Sequence, residues 1–212
     1  MDDALIFDWN RDAPVPRPSQ ILLLDETLRD GLQSPSVRAP TIDQKLRILH
    51  LLDRIGIDTA DIGLPGAGPH VARDVQRLAY EILECRLRVQ ANCAARTVLS
   101  DIQPIADIVQ KTGLPIECCC FIGSSPIRIY AEDWSVDYLQ RCTEEAISFG
   151  VRHGLKVMYV TEDTTRSDPE TLRRLFRTAI DSGASRLCIA DTVGHATPAG
   201  ARTARASTAS GW

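Results

Sequence analysis

The chain has 212 residues, 44% apolar and 25% charged, proportions of one large globular domain or two small ones that exclude wholesale disorder and collagen-like repetition. Lys and Arg number 24 against 28 Asp and Glu, a net charge of -4, which argues against nucleic acid as a partner. No apolar run nears the roughly 20 residues of a membrane-spanning helix. The acidic start, Met1-Asp-Asp, lacks a basic-then-apolar leader, so a cytoplasmic protein without membrane association is expected. Seven cysteines, at 85, 93, 118, 119, 120, 142 and 188, show no CxxC pairing and read as small hydrophobes in a reducing compartment, with no disulfide framework. Three are consecutive, and alternation along a strand would send them to opposite faces, which rules out a tidy metal cluster there.

In chain order, residues 1–18, which end in Ala13-Pro-Val-Pro-Arg-Pro18, read as an extended lead-in. Residues 21–25 form an apolar strand. Thr41 and Gln44 then offer a capping box, followed by Ile42, Leu46, Leu49, Leu52 and Ile55 at helical spacing and a stop at Gly56. The cycle repeats: a strand at 58–63, and a helix marked by Val71, Val75, Leu78 and Ile82. A strand at 87–93 leads to a helix at 100–112 with Pro104 near its first turn. Strands at 114–122 and 155–160 flank a helix at 135–153. Asp168-Pro169 starts a helix with an N-cap and an N1 proline, and 186–190 is the last strand.

Six strands and five helices in strict alternation predict an α/β fold with a parallel sheet and right-handed crossovers. Strand intervals of about 30 residues suit a doubly wound open sheet or a partial (β/α)8 TIM barrel, and length favours the open sheet. Residues 199–212 hold one large apolar residue, Trp212, and read as an irregular tail.

The densest polar cluster, Asp25-Glu-Thr-Leu-Arg-Asp-Gly-Leu-Gln33, lies just past the first strand, where parallel α/β folds place their sites. Asp25, Arg29, Asp30 and Gln33 suit a hard cation beside an anionic substrate; a solvated turn with a surface ion pair fits the same residues. Gly63-Leu-Pro-Gly-Ala-Gly68 lacks the Lys-Ser/Thr of a phosphate loop and reads as a glycine-rich turn. His50, among leucines, reads as an edge-of-core residue, and Cys188 as core.

Residues 25–33 resemble the opening motif of the pyruvate carboxyltransferase-like metal-dependent barrels, or DRE-TIM metallolyases. These include 2-isopropylmalate, homocitrate and citramalate synthases and 3-hydroxy-3-methylglutaryl-CoA lyase. The likeness continues in order through Gly56-Ile-Asp-Thr-Ala-Asp-Ile-Gly-Leu-Pro65, Phe121-Ile-Gly-Ser-Ser-Pro-Ile-Arg128, Val160-Thr-Glu-Asp-Thr-Thr-Arg166 and Ala190-Asp-Thr-Val-Gly194. The resemblance implies a TIM-barrel catalytic domain over 19–198, represented by about six βα units.

It further implies a metal-dependent acyltransferase condensing acetyl-CoA or another acyl-CoA with a 2-oxo acid, as in leucine biosynthesis. The reverse, lyase direction and a non-catalytic remnant are the alternatives. By the same resemblance Arg29 is the electrophilic arginine, Glu162 the acidic catalytic position and Asp30 a ligand of Mg²⁺, Mn²⁺ or Zn²⁺. Gln33, Asp61, Arg96, Arg128 and Thr192 are the substrate-binding positions. Three departures stand out: Asp61 where the family has Glu, Arg128 where it has His, and no His-x-His pair, since the histidines are 50, 70, 153 and 195. The metal is therefore expected to be incompletely liganded, the isolated chain to release negligible CoA, and a homodimer to be an option along an open sheet edge that exposes Leu22, Leu24, Cys188 and Ile189.

Overall fold

Each apolar run of the sequence becomes a strand and each amphipathic stretch the helix that returns the chain to the next strand. The computed structural model describes residues 20–210, so the lead-in expected at 1–18 lies outside the described residues. The strands are β1 (Leu24–Asp25), β2 (Thr59–Asp61), β3 (Gln90–Arg96), β4 (Ile116–Gly123), β5 (Val157–Glu162) and β6 (Arg186–Ile189). The intervening helices are α1 (Ile42–Ile55), α2 (Pro69–Glu84), α3 (Leu99–Thr112), α4 (Pro126–Ala131), α5 (Val136–Arg152) and α6 (Pro169–Asp181), with α7 (Pro198–Ser210) after β6.

The six strands pair in the order β1-β2-β3-β4-β5-β6, all parallel. A doubly wound sheet reverses its order at a switch point; this one never does, so it is a curled segment of a (β/α) barrel. This is the partial TIM barrel of about six βα units that the motif resemblance implied, and the open doubly wound sheet that length alone favoured is not formed.

Alternation divides the strands between two environments. Ala60, Ala91, Cys93, Ile116, Cys118, Cys120, Val157 and Tyr159 join Leu49, Val75, Leu78, Ile102, Ile105, Leu139, Ile147 and Phe176 from the helices in one core. Asp61, Asn92, Cys119, Met158, Glu162, Arg186 and Cys188 have the opposite parity and line the concave face. The cysteine triplet is split accordingly: Cys118 and Cys120 touch, Sγ to Sγ 3.5 Å, while Cys119 lies on the other side. On the concave face Arg186 reaches past β5 to the Glu117 carboxylate, with Nε to Oε1 at 2.9 Å.

Several expectations change in detail. β1 is shorter than 21–25 because it has one neighbour: the Leu23 carbonyl accepts from Asp58 and Thr59, but Ile21 and Leu22 are 74% and 53% exposed. Pro104 is the sixth residue of α3, not part of its first turn; the Ser100 carbonyl that it leaves without an N–H belongs to an exposed residue, which solvent can reach. The short helix α4 was unforeseen, although Ser125 caps it and Pro126 opens it. The tail expected to be irregular is helical from Pro198 to Ser210, since alanines sustain a helix without an apolar stripe. No described helix is long and apolar enough to cross a membrane.

Candidate active site at the carboxyl ends of the strands

The chain leaves β1 through a turn closed by Asp25, whose carboxylate accepts from the Thr27 amide at 2.9 Å and its hydroxyl at 3.0 Å. The amides of Arg29 and Gly31 then donate to the Glu26 carbonyl, and a single 3-10 turn follows over Asp30–Gln33. Asp25 is thus consumed in shaping the loop. Its effect is to carry Arg29 across to the end of β2.

There Arg29 meets three carboxylates. Its Nε donates to Asp61 Oδ2 at 3.2 Å and its Nη1 to Asp30 Oδ1 at 3.1 Å, while Nη2 pairs with Glu26. The arrangement is graded by depth: the side chain of Asp61 is 1% exposed, Arg29 21% and Asp30 65%. Burial opposes the charge of Arg29, yet Asp61, Glu26 and Asp30 outweigh it and hold its pKa above the ordinary value. Asp61 moves the other way. Burial first, and the charge of Glu26 second, push it up to about 7, against the pull of Arg29 and of the Gly63 amide that donates to Oδ1 at 3.0 Å.

The remaining expected residues are placed less uniformly. Glu162 ends β5 opposite Gly123; it is half-buried, and its carboxylate has no hydrogen-bond or ion-pair partner among the described residues. Thr192 follows β6, and its Oγ1 accepts from the Asp163 amide at 2.8 Å. That bond ties two strand-end loops together. Asp163 itself holds a left-handed backbone at φ 61°, secured by the Arg166 guanidinium at 2.7–3.0 Å. Gln33 is exposed on the first loop.

Arg96 is engaged elsewhere. Its Nε and Nη2 grip buried Asp101 at 2.7 and 2.9 Å, a fork that clamps the end of β3 to α3. Arg128 lies against Gly123, where a Cβ would stand 3.0 Å from its Cγ and Nε. Its Nη1 is 3.0 Å from Glu132, its guanidinium sits 5.7 Å from the Trp134 ring centre, and its buried Nε has no partner among the described residues.

Sequence reasoning missed Asn92. It pairs in register with Asp61, is fully buried, and neither atom of its amide has a partner among the described residues. The signal was present: one polar residue inside the otherwise apolar middle of the run Gln90-Ala-Asn-Cys-Ala-Ala-Arg96. A concavity of about 880 Å³ opens at the opposite, amino-terminal end of the strands near Leu22, Gln90 and Glu117, away from these groups.

The donor set around Asp30 does not by itself fit a divalent ion. Among the described residues, the one group of three His, Cys, Asp or Glu with ligand atoms in range is His50, Glu81 and Cys85, on the outer helices.

Comparison with known proteins agrees with the motifs. The HMGL-like family model matches residues 20–206. 2-Isopropylmalate synthase of Sediminispirochaeta smaragdinae is 31% identical over 182 residues, 85% of this chain and 35% of the relative. Homocitrate synthase AksA of Methanopyrus kandleri is 33% identical over 186 residues, 87% of this chain and 44% of the relative. The chain therefore spans less than half the length of these relatives. In fold it is similar to the HMG-CoA lyase from Brucella melitensis, with a TM-score of 0.64 at 16% identity, covering 88% of this chain and 66% of that one. The motifs, the sequential parallel sheet and the family match agree: the chain belongs to the HMGL-like family.

Proposed function

We propose that residues 19–198 supply the electrophilic part of a site that condenses an acyl-CoA, such as acetyl-CoA, with a 2-oxo acid. The observation that carries this reading is Arg29, held at the strand ends by Asp61, Glu26 and Asp30. Alkyl transfer from an acyl-CoA enolate builds negative charge on the former keto oxygen, and a fixed guanidinium stabilises it. Asp61 fixes Arg29 from the buried side, while the more exposed Glu26 and Asp30 can yield their places to a substrate oxygen.

With a pKa of about 7, Asp61 also suits proton transfer near neutrality. Glu162, whose carboxylate has no partner among the described residues, is a second acid–base candidate. Gln33 and Thr192 are proposed to meet the oxo-acid carboxylate, and Arg128 an added anionic group on it. Arg96, bound to Asp101, serves the substrate by holding the β3 loop. Asp30 is offered as one oxygen ligand of Mg²⁺, Mn²⁺ or Zn²⁺; the described residues do not complete a cage around it. The synthase direction is favoured because the relatives above 30% identity named here are synthases.

The test is binding before turnover. A 2-oxo acid (pyruvate, 2-oxoisovalerate or 2-oxoglutarate), followed by ligand-observed NMR, should bind the chain and lose that binding in Arg29→Ala. Absence of binding by all three would sink the reading. CoA release from acetyl-CoA should stay at the Arg29→Ala background even with Mg²⁺ or Mn²⁺. Turnover above that background would show a metal site completed by residues not named here.

A further inference from the structure

The second side of the molecule, where α1 packs on α2, carries a group that the proposed chemistry does not use. His50 projects from α1, and Glu81 and Cys85 from one end of α2, a single turn apart, so both face α1. His50 Nε2 stands 2.7 Å from Glu81 Oε1, and Cys85 Sγ 3.4 Å from the same oxygen. One ligand atom from each residue lies within 4.8 Å of the others.

The two oxygens of Glu81 are divided. Oε2 is occupied by Arg77 Nη2 at 2.7 Å, which fixes the carboxylate plane and leaves Oε1 to the histidine and the thiol. Hydrogen bonds from His50, Arg77 and Cys85 all converge on this one carboxylate. Glu81 is largely buried, His50 is 38% exposed and Cys85 is exposed. The group therefore has a firm inner ligand and an open outer side.

We infer that His50, Glu81 and Cys85 form a surface site for a borderline-soft divalent cation, zinc by its chemistry. One imidazole nitrogen, one thiolate and one carboxylate oxygen are a zinc donor set; tetrahedral coordination needs about 2.0–2.3 Å to each, and solvent takes the fourth position. With Glu81 Oε1 already 2.7 Å from the imidazole nitrogen and 3.4 Å from the thiol, and all three atoms within 4.8 Å of one another, only small shifts are needed around such an ion. Binding displaces the Cys85 proton, so affinity rises with pH. An ion here staples α1 to α2 and bears on stability, independently of the strand-end site.

Cobalt(II) is the probe, titrated into the full, reduced, chelator-treated chain. One equivalent should give a thiolate-to-cobalt absorption that Zn²⁺ displaces. Cys85→Ser, at an exposed position, should abolish the absorption, and His50→Ala should weaken binding by at least about tenfold. Asp30→Ala should leave it unchanged. At a hundredfold excess over its Kd, Zn²⁺ should raise Tm by roughly 5–10 °C, and the rise should vanish in Cys85→Ser. Absence of the thiolate absorption, its persistence in Cys85→Ser, or its loss in Asp30→Ala would each overturn the site.

Discussion

Arg29 and Asp61 behave as one unit because each determines the cost of burying the other. Arg29→Ala would leave the Asp61 carboxylate, 1% exposed, without its guanidinium. A loss of about 2–3 kcal/mol is expected at pH 7 in urea unfolding, shrinking below pH 5, where Asp61 is protonated. Asp61 also sets a pH dependence of its own. Its folded pKa of about 7 stands above the ordinary 3.8, so the folded state keeps a proton that the unfolded chain releases. Its contribution is complete below about pH 4 and is lost as pH rises through 7. Relative to wild type, Asp61→Asn should therefore gain on the order of 1–3 kcal/mol between pH 4 and 8. Parallel stability–pH curves for the two proteins would refute this.

At the scale of elements, helix ends and close approaches decide the geometry. The capping box at α1 is formed as its residues foretell: the Thr41 amide donates to Gln44 Oε1 at 2.9 Å and the Gln44 amide to Thr41 Oγ1 at 3.3 Å. Thr41→Ala should cost about 1 kcal/mol, read as a lowered urea midpoint with an unchanged m-value. The loop between β2 and α2 is tighter than its glycines alone suggest. A Cβ on Gly66 would stand 2.7 Å from the Cα of Asp101, the residue that Arg96 grips. Gly66→Ala should cost roughly 1–3 kcal/mol and loosen the β3 end, which accelerated amide exchange at Arg96 and Thr97 would report.

For the whole molecule, the sheet is unpaired at β1 and β6 among the described residues. Such edges invite pairing with another chain. Leu22 and Leu24 are 53% and 38% exposed, and Cys188 and Ile189 are only half-buried, as expected for an uncovered edge. The chain should self-associate with rising concentration, and Leu22→Lys should shift it toward monomer. A monodisperse monomer of the unaltered chain at high concentration, seen by light scattering, would count against an accessible edge.

Periodicity and punctuation in the sequence settled the alternation of strands and helices, the cap at Thr41, the stops at glycine and the splitting of the cysteine triplet. All of these follow from neighbours within a few residues. The motifs likewise marked Arg29, Asp30, Asp61, Glu162 and Thr192 as strand-end residues. What the sequence left open depends on contacts between distant segments. Periodicity alone allowed both the barrel segment that the motifs implied and a doubly wound sheet; sheet order decides for the barrel, because pairing partners are separated by whole βα units. Tertiary packing turned Arg96 toward Asp101, stranded the Asn92 amide beside Asp61 and pushed Asp61 up to about 7. Burial and the charges that accompany it belong to the folded surroundings and not to the residue itself.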